Sequence, residues 1–161
     1  MRQSDSAHLK VADADAMRAF GRALGNALST QRARALVVTI RGELGAGKTT
    51  FVGGVLNALG FQGFARSPTY TLIEPYEFAG RQVFHLDLYR LADPGEVEAL
   101  GLRDLLNDDA VLLIEWPERG AGLIPPADLA LTIDYAAEGR VLDAAAHGQA
   151  GRELLQRLVQ M

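Results

Sequence analysis

The sequence predicts an α/β fold, a mostly parallel sheet with helices on both faces and antiparallel edge strands, and three observations carry that prediction. Gly42-Glu43-Leu44-Gly45-Ala46-Gly47-Lys48-Thr49 matches G-x-x-x-x-G-K-[ST], the phosphate-binding loop of P-loop NTPase-like folds, which joins a strand to a helix. Ala110-Val111-Leu112-Leu113-Ile114-Glu115-Trp116 is a continuous apolar run ending in an acid, as in a strand buried on both faces. Leu129, Leu131, Ile133 and Tyr135 alternate with Ala130, Thr132 and Asp134, as in a half-buried strand.

In chain order, a short strand is expected around 8–11. Asp13 is placed to cap a helix running to about Leu28, with Met17, Phe20, Leu24 and Leu28 on one apolar face. Gly21 and Gly25 cost that helix some propensity and leave room for close packing. The β-branched run 35–40 is the strand before the loop. Phe51, Val52, Val55, Leu56 and Leu59 follow at helical spacing, and Gly60 stops the helix. Residues 70–78 and 81–89 read as a hairpin joined through Ala79-Gly80. Asp93-Pro94-Gly95-Glu96 carries a capping-box pattern with proline at the first helical position; a helix to about Leu100 stops at Gly101, and 102–106 adds a short helical turn. Pro117, Gly120, Gly122, Pro125 and Pro126 mark a loop after the buried strand. The strand 129–135 turns through 136–139 into 140–146, and 151–159 closes the chain as a helix.

Length suits one domain spanning 1–161 with a sizeable core, at 48% hydrophobic and 22% charged residues. A net charge of −4 gives no cationic footprint for holding bulk nucleic acid. No cysteine is present, which excludes disulfides and thiolate metal sites and fits a reducing compartment. The first residues carry no apolar signal core and no run reaches 18 apolar residues, so no membrane association is expected.

The motif residues state their chemistry. Glycines let backbone N–H groups wrap an anion, and the next helix points its positive end at the same phosphates. Lys48 adds a full charge for the β- and γ-phosphates, and the Thr49 hydroxyl is a Mg²⁺ ligand in such loops. The chain has 14 Arg and only two Lys, so a lysine here is a choice of a slim point charge over a planar fork. Glu115, at the end of a buried strand, is read as holding Mg²⁺ directly or through water, or as polarising the attacking water, against the alternative of a surface charge. Ser67-Pro68-Thr69-Tyr70-Thr71 reads either as a γ-phosphate-sensing loop or as a turn entering a strand. In His85-Leu86-Asp87-Leu88-Tyr89-Arg90 the period of two puts His85, Asp87 and Tyr89 on one face, which is solvated or lines a site.

Four stretches together resemble one family, the small bacterial ATPase of tRNA threonylcarbamoyladenosine biosynthesis, the TsaE type. They are 42–51, Ser67-Pro68-Thr69-Tyr70-Thr71-Leu72, His85-Leu86-Asp87-Leu88-Tyr89-Arg90-Leu91 and Leu113-Ile114-Glu115-Trp116-Pro117-Glu118, in family order and spacing within residues 10 to about 155. The resemblance implies a cytoplasmic, Mg²⁺-dependent ATP hydrolase that works on a two-protein threonylcarbamoyl transferase complex of the TsaB and TsaD type. It meets tRNA only indirectly, transfers no group itself, and resets the pair between turnovers. By resemblance the metal ligands fall on Thr49 and Glu115, and the functional acid on Asp87. Phosphate contacts fall on Leu44, Gly45, Ala46, Gly47, Lys48 and Thr49, continuing into Thr50. Arg140 is the basic residue near the nucleotide, and Lys48, Asp87 and Glu115 form the catalytic set. A threonine common on the family's first helix falls on Met17 here.

Other classes fit less well. A small-molecule kinase would bring a lid with clustered arginines, and 161 residues leave little room for one. A GTPase of the Ras type uses Asn-Lys-x-Asp, and no Asn precedes a Lys in this chain. A nucleotide-gated binding module that scarcely hydrolyses needs the same loop and metal, and only turnover separates it from an ATPase.

Overall fold

Seven strands form a single sheet in the order β1-β7-β6-β2-β5-β4-β3. The computed structural model describes residues 5–31, 34–68 and 70–160. The strands are β1 (Ser6–Val11), β2 (Leu36–Arg41), β3 (Ile73–Phe78), β4 (Arg81–Asp87), β5 (Ala110–Glu115), β6 (Leu129–Tyr135) and β7 (Arg140–Ala146). Between and after them come the helices α1 (Ala14–Thr30), α2 (Lys48–Leu59), α3 (Gly95–Ala99), α4 (Leu102–Leu105) and α5 (Gly148–Val159), with a 3-10 turn at Pro117–Gly120. The four central strands β6, β2, β5 and β4 run parallel; β7 and β1 close one side antiparallel, and β3 closes the other. No helix among the described residues is long and apolar enough to cross a membrane.

Alternation along the central strands sorts the core into two layers. Val38, Ile40, Val111 and Leu113 meet α1, α2 and α5 on one face. Val37, Leu86, Leu112 and Ile114 meet Val97 and Leu102 of α3 and α4 on the other. Such two-sided burial explains why β5 reads as an unbroken apolar run up to Glu115 and β2 as one interrupted only by the buried Thr39. Capping follows the sequence: the Asp13 carboxylate accepts from Ala16 N at 2.8 Å, and Gly60 ends α2 at φ 117°. At Asp93 the box is half made, the Glu96 carboxylate accepting from Asp93 N at 3.1 Å. Several boundaries differ from expectation, β1 starting at Ser6 and α1 running on to Thr30 among them. The first hairpin strand begins at Ile73 rather than Tyr70, because Leu72 turns at φ 63°. The second ends at Asp87, two residues before Tyr89. The last helix begins at Gly148 rather than Gly151.

The helix carrying Lys48 is fixed by backbone-to-backbone contact with α1. A Cβ added at Gly21 would lie 2.2 Å from Phe51 O, one at Gly25 2.5 Å from Val55 O, and one at Gly54 2.3 Å from Arg18 O. No flexible side chain stands there to yield. Gly21→Ala is therefore expected to destabilise the fold by about 1–3 kcal/mol despite alanine's better helix propensity. Urea unfolding measures this, and an unchanged or raised midpoint would show that the helix pair separates freely.

Candidate functional site

Between β2 and α2 the chain makes the bends that its glycines permit. Gly45 and Gly47 sit at φ 78° and 116°, where a side chain would be strained. A Cβ at Gly45 would also meet Tyr135 Oη at 2.9 Å, and one at Gly47 would meet Met17 Cε at 3.0 Å. The loop is closed by Ala46 N donating to Glu43 O at 3.0 Å. From outside, Tyr135 Oη donates to Leu44 O at 2.6 Å. Lys48 is buried and folds back over the loop, its Nζ donating to Gly42 O at 2.5 Å and Glu43 O at 2.9 Å.

Parallel registry brings the acids to this loop. Ile40, the last buried residue of β2, pairs with Glu115, and Glu115 pairs with Asp87 on β4. Both carboxylates therefore stand at the carboxyl end of the sheet, beside the start of α2, where ligands of open α/β sheets bind. Thr49 Oγ1 donates to Glu115, 3.2 Å from each carboxylate oxygen. A hydroxyl has one hydrogen, so the 2.7 Å contact between Thr49 Oγ1 and Ser67 Oγ is donated by Ser67. Asp87 Oδ1 accepts from Tyr89 N at 3.0 Å, which turns the chain out of β4 and keeps Tyr89 at the site beyond the strand end. Desolvation pushes the Lys48 amine below its ordinary pKa, and the nearby Glu115 and Asp87 carboxylates oppose that shift.

Trp116 follows Glu115 in the left-handed region at φ 57°, an uncommon conformation for a bulky residue. That turn lays its ring 4.6 Å from Lys48 Nζ and 4.9 Å from the Tyr89 ring. Arg119 stacks at the outer edge, 5.3 Å from the Tyr89 ring and 5.6 Å from Trp116. Arg119 was not among the residues expected at the site; its spacing from Glu115 carries no signal until the turn at Trp116 is known.

Two cavities flank the loop. One of about 220 Å³ is lined by Lys48, Thr49, Ser67, Asp87, Tyr89, Glu115 and Trp116, with Leu44, Gly45, Gly47 and Thr50. The other, about 210 Å³, is lined by Ala12, Asp13, Ala14, Met17, Gly139 and Arg140, with Gly45, Ala46, Gly47 and Thr50. Every expected phosphate-contact residue from Leu44 to Thr50 thus borders one or both. Arg140 holds its guanidinium 4.2 Å over the Tyr135 ring, while Nη1 donates to Gly139 O at 2.9 Å. Its Nε is buried with no hydrogen-bond partner. Arg66 and Arg90 line neither cavity. Of the 67–71 segment, Ser67 reaches the site, Thr71 Oγ1 donates instead to Ile73 O, and Thr69 lies outside the described residues.

The donor set suits a hard cation shared with a phosphate. Among the described residues no group of three or more His, Cys, Asp or Glu gathers into a closed metal cage. A hydroxyl and a carboxylate beside an anion-binding loop instead match Mg²⁺, which keeps waters and takes the rest of its ligands from substrate phosphates.

Comparison with known proteins bears on the same stretch. A family model described as "Threonylcarbamoyl adenosine biosynthesis protein TsaE" matches residues 11–142. The tRNA threonylcarbamoyladenosine biosynthesis protein TsaE of Haemophilus influenzae is 42% identical over 146 residues, covering 90% of this chain and 92% of that protein. The protein of the same description from Bacillus subtilis is 37% identical over 102 residues, 63% of each chain. The crystal structure of Bacillus subtilis YdiB shares the fold, with a TM-score of 0.79 at 24% identity over 99% of this chain and 98% of that one.

Proposed function

The chain belongs to the TsaE family of tRNA threonylcarbamoyladenosine biosynthesis proteins, and from that membership we propose that it is a small Mg²⁺-dependent ATP hydrolase serving that modification. It acts on a two-protein transferase complex of the TsaB and TsaD type, meets tRNA only through that complex, and transfers no threonylcarbamoyl group itself. The setting is the cytoplasm, whose reducing conditions suit a chain without cysteine. The observation that carries the proposal is convergence: Lys48 and Thr49 from the start of α2, Asp87 from β4 and Glu115 from β5 border one cavity.

In this reading each residue has a task. Backbone N–H groups of 44–49 and the start of α2 bind the phosphates. Lys48 exchanges the carbonyls of Gly42 and Glu43 for phosphate oxygens. Thr49 and Glu115 would hold Mg²⁺, which would supply positive charge to the transferred phosphoryl group. Thr49 gives its hydrogen to Glu115 and accepts from Ser67, which leaves one lone pair for a cation. Asp87 orients the attacking water or takes its proton. Met17 and Arg140 border the second cavity, where the base and ribose would lie.

Phosphate release by the purified chain with MgATP tests the proposal, and none, alone or with the partner pair, would overturn it. Binding gives a separate check. A charged contact to a buried phosphate is worth roughly 1.5–3 kcal/mol, so Lys48→Ala is expected to weaken MgATP binding roughly 10- to 150-fold. Trp116, the single tryptophan, lies 4.6 Å from Lys48 Nζ, so its fluorescence reports the titration. Unchanged affinity in a folded variant would show that the loop does not hold the phosphates.

A further inference from the structure

His85 is absorbed by none of the roles above, yet it is fully buried at the site. Its side chain has 0% exposure, and that of Glu115 has 2%. His85 Nε2 lies 2.5 Å from Glu115 Oε2, while Nδ1 is buried with no hydrogen-bond partner. The ring therefore has a single polar contact. With no acceptor near Nδ1, the proton belongs on Nε2, where Glu115 accepts it. The pleat explains why the two meet. His85 pairs with Leu113 and Asp87 with Glu115 across adjacent parallel strands, so all four side chains leave the sheet on one face.

We infer that His85 is a positioning residue for the metal-binding carboxylate. It ties down Oε2 of Glu115, a residue that lines the cavity, and leaves Oε1 with, among the described residues, only the long bond from Thr49. A carboxylate held at one oxygen binds a cation through the other without first losing its own rotational freedom. The inference rests on Glu115 being a Mg²⁺ ligand, as proposed above. It adds that the histidine of the His-x-Asp pattern acts on the metal through Glu115, while the aspartate two residues on faces the phosphates directly.

The test measures metal affinity rather than turnover. Mg²⁺ and Mn²⁺ are titrated into the full chain saturated with the nonhydrolysable analogue adenylyl imidodiphosphate, reading Trp116 fluorescence and the free-Mn²⁺ electron paramagnetic resonance signal. His85→Leu is expected to weaken metal binding about 10- to 100-fold, with nucleotide affinity in EDTA unchanged. His85→Gln, whose amide nitrogen reaches the place of Nε2, should restore most of it, and the shorter His85→Asn should not. A merely structural histidine would alter the melting temperature in all three and leave the metal titration where it was. If His85→Leu does not fold, the Gln and Asn variants decide, and equal metal affinities in that pair would overturn the inference. A wild-type protein whose nucleotide affinity ignores Mg²⁺ would overturn the reading of Glu115 itself, whereas Mg²⁺-dependent affinity indifferent to His85 would overturn only the positioning role.

Discussion

Asp87→Ala is expected to bind MgATP nearly as well as the wild type and to lose hydrolysis by a factor of roughly 10²–10⁴, the usual contribution of a group that handles the attacking water's proton. Glu115→Ala is expected to fail earlier, losing the Mg²⁺-dependent part of nucleotide binding. Both acids end neighbouring strands at the same register, so the difference lies in their partners. Glu115 is enclosed by Thr49 and His85 within hydrogen-bonding distance, a setting that fixes a cation ligand. The Asp87 carboxylate, among the described residues, accepts a single hydrogen bond, from Tyr89 N in the turn after its own strand, and it borders the cavity that Lys48 and Thr49 also line. Calorimetric titration of ATP with Mg²⁺ and with EDTA, beside phosphate release under single-turnover conditions, separates the two. Equal loss of affinity in both variants, or full turnover in Asp87→Ala, would contradict the division.

What the sequence made legible was local. The strand-loop-helix unit around Lys48 needs only contiguous residues, and its glycines mark the bends it makes. Glu115 was legible as well, because a buried parallel strand announces itself by an apolar run and its acid by breaking it. Pairings across strands were not. Whether His85 faced solvent or a site depended on which strand lay beside β4, and no spacing within the chain states that β5 does so in register. Tyr135 over Leu44 and Arg119 beside Trp116 depend likewise on non-local registry or on one residue at φ 57°. The late start of β3 has a similar cause. Tyr70 and Thr71 have strand propensity, but Leu72 adopts a left-handed turn while its carbonyl accepts from Asp87 N at 3.0 Å, so tertiary contact overrides preference.

Hydrolysis by the isolated chain is expected to be slow and to rise at least about tenfold with the two-protein transferase complex, against a ceiling of roughly 10³–10⁵ for charge stabilisation supplied in trans in GTPases. Among the described residues no arginine lines the cavity containing Lys48, and Arg119, whose guanidinium stacks beside Trp116, is engaged with aromatic rings at its edge. Transition-state charge on the phosphoryl oxygens would then be met by Lys48 and Mg²⁺ alone until a partner adds a donor or closes the site. The segment after α2 is suited to carry that coupling. Ser67 donates to Thr49, one of the proposed metal ligands, while Phe64 and Tyr70 on either side of it are 89% and 92% exposed. A partner seated on those two rings would act on the metal site through one hydrogen bond. A net charge of −4 gives no overall cationic footprint for holding tRNA by counterion release, in keeping with the proposal that the chain meets tRNA only through partner proteins. Titrating the partner pair into the purified chain while following phosphate release tests this, with Phe64→Ser and Tyr70→Ser as variants that should lose the stimulation and keep the basal rate. An ATPase rate indifferent to saturating partners, or tight tRNA binding by the chain alone, would count decisively against a partner-driven cycle.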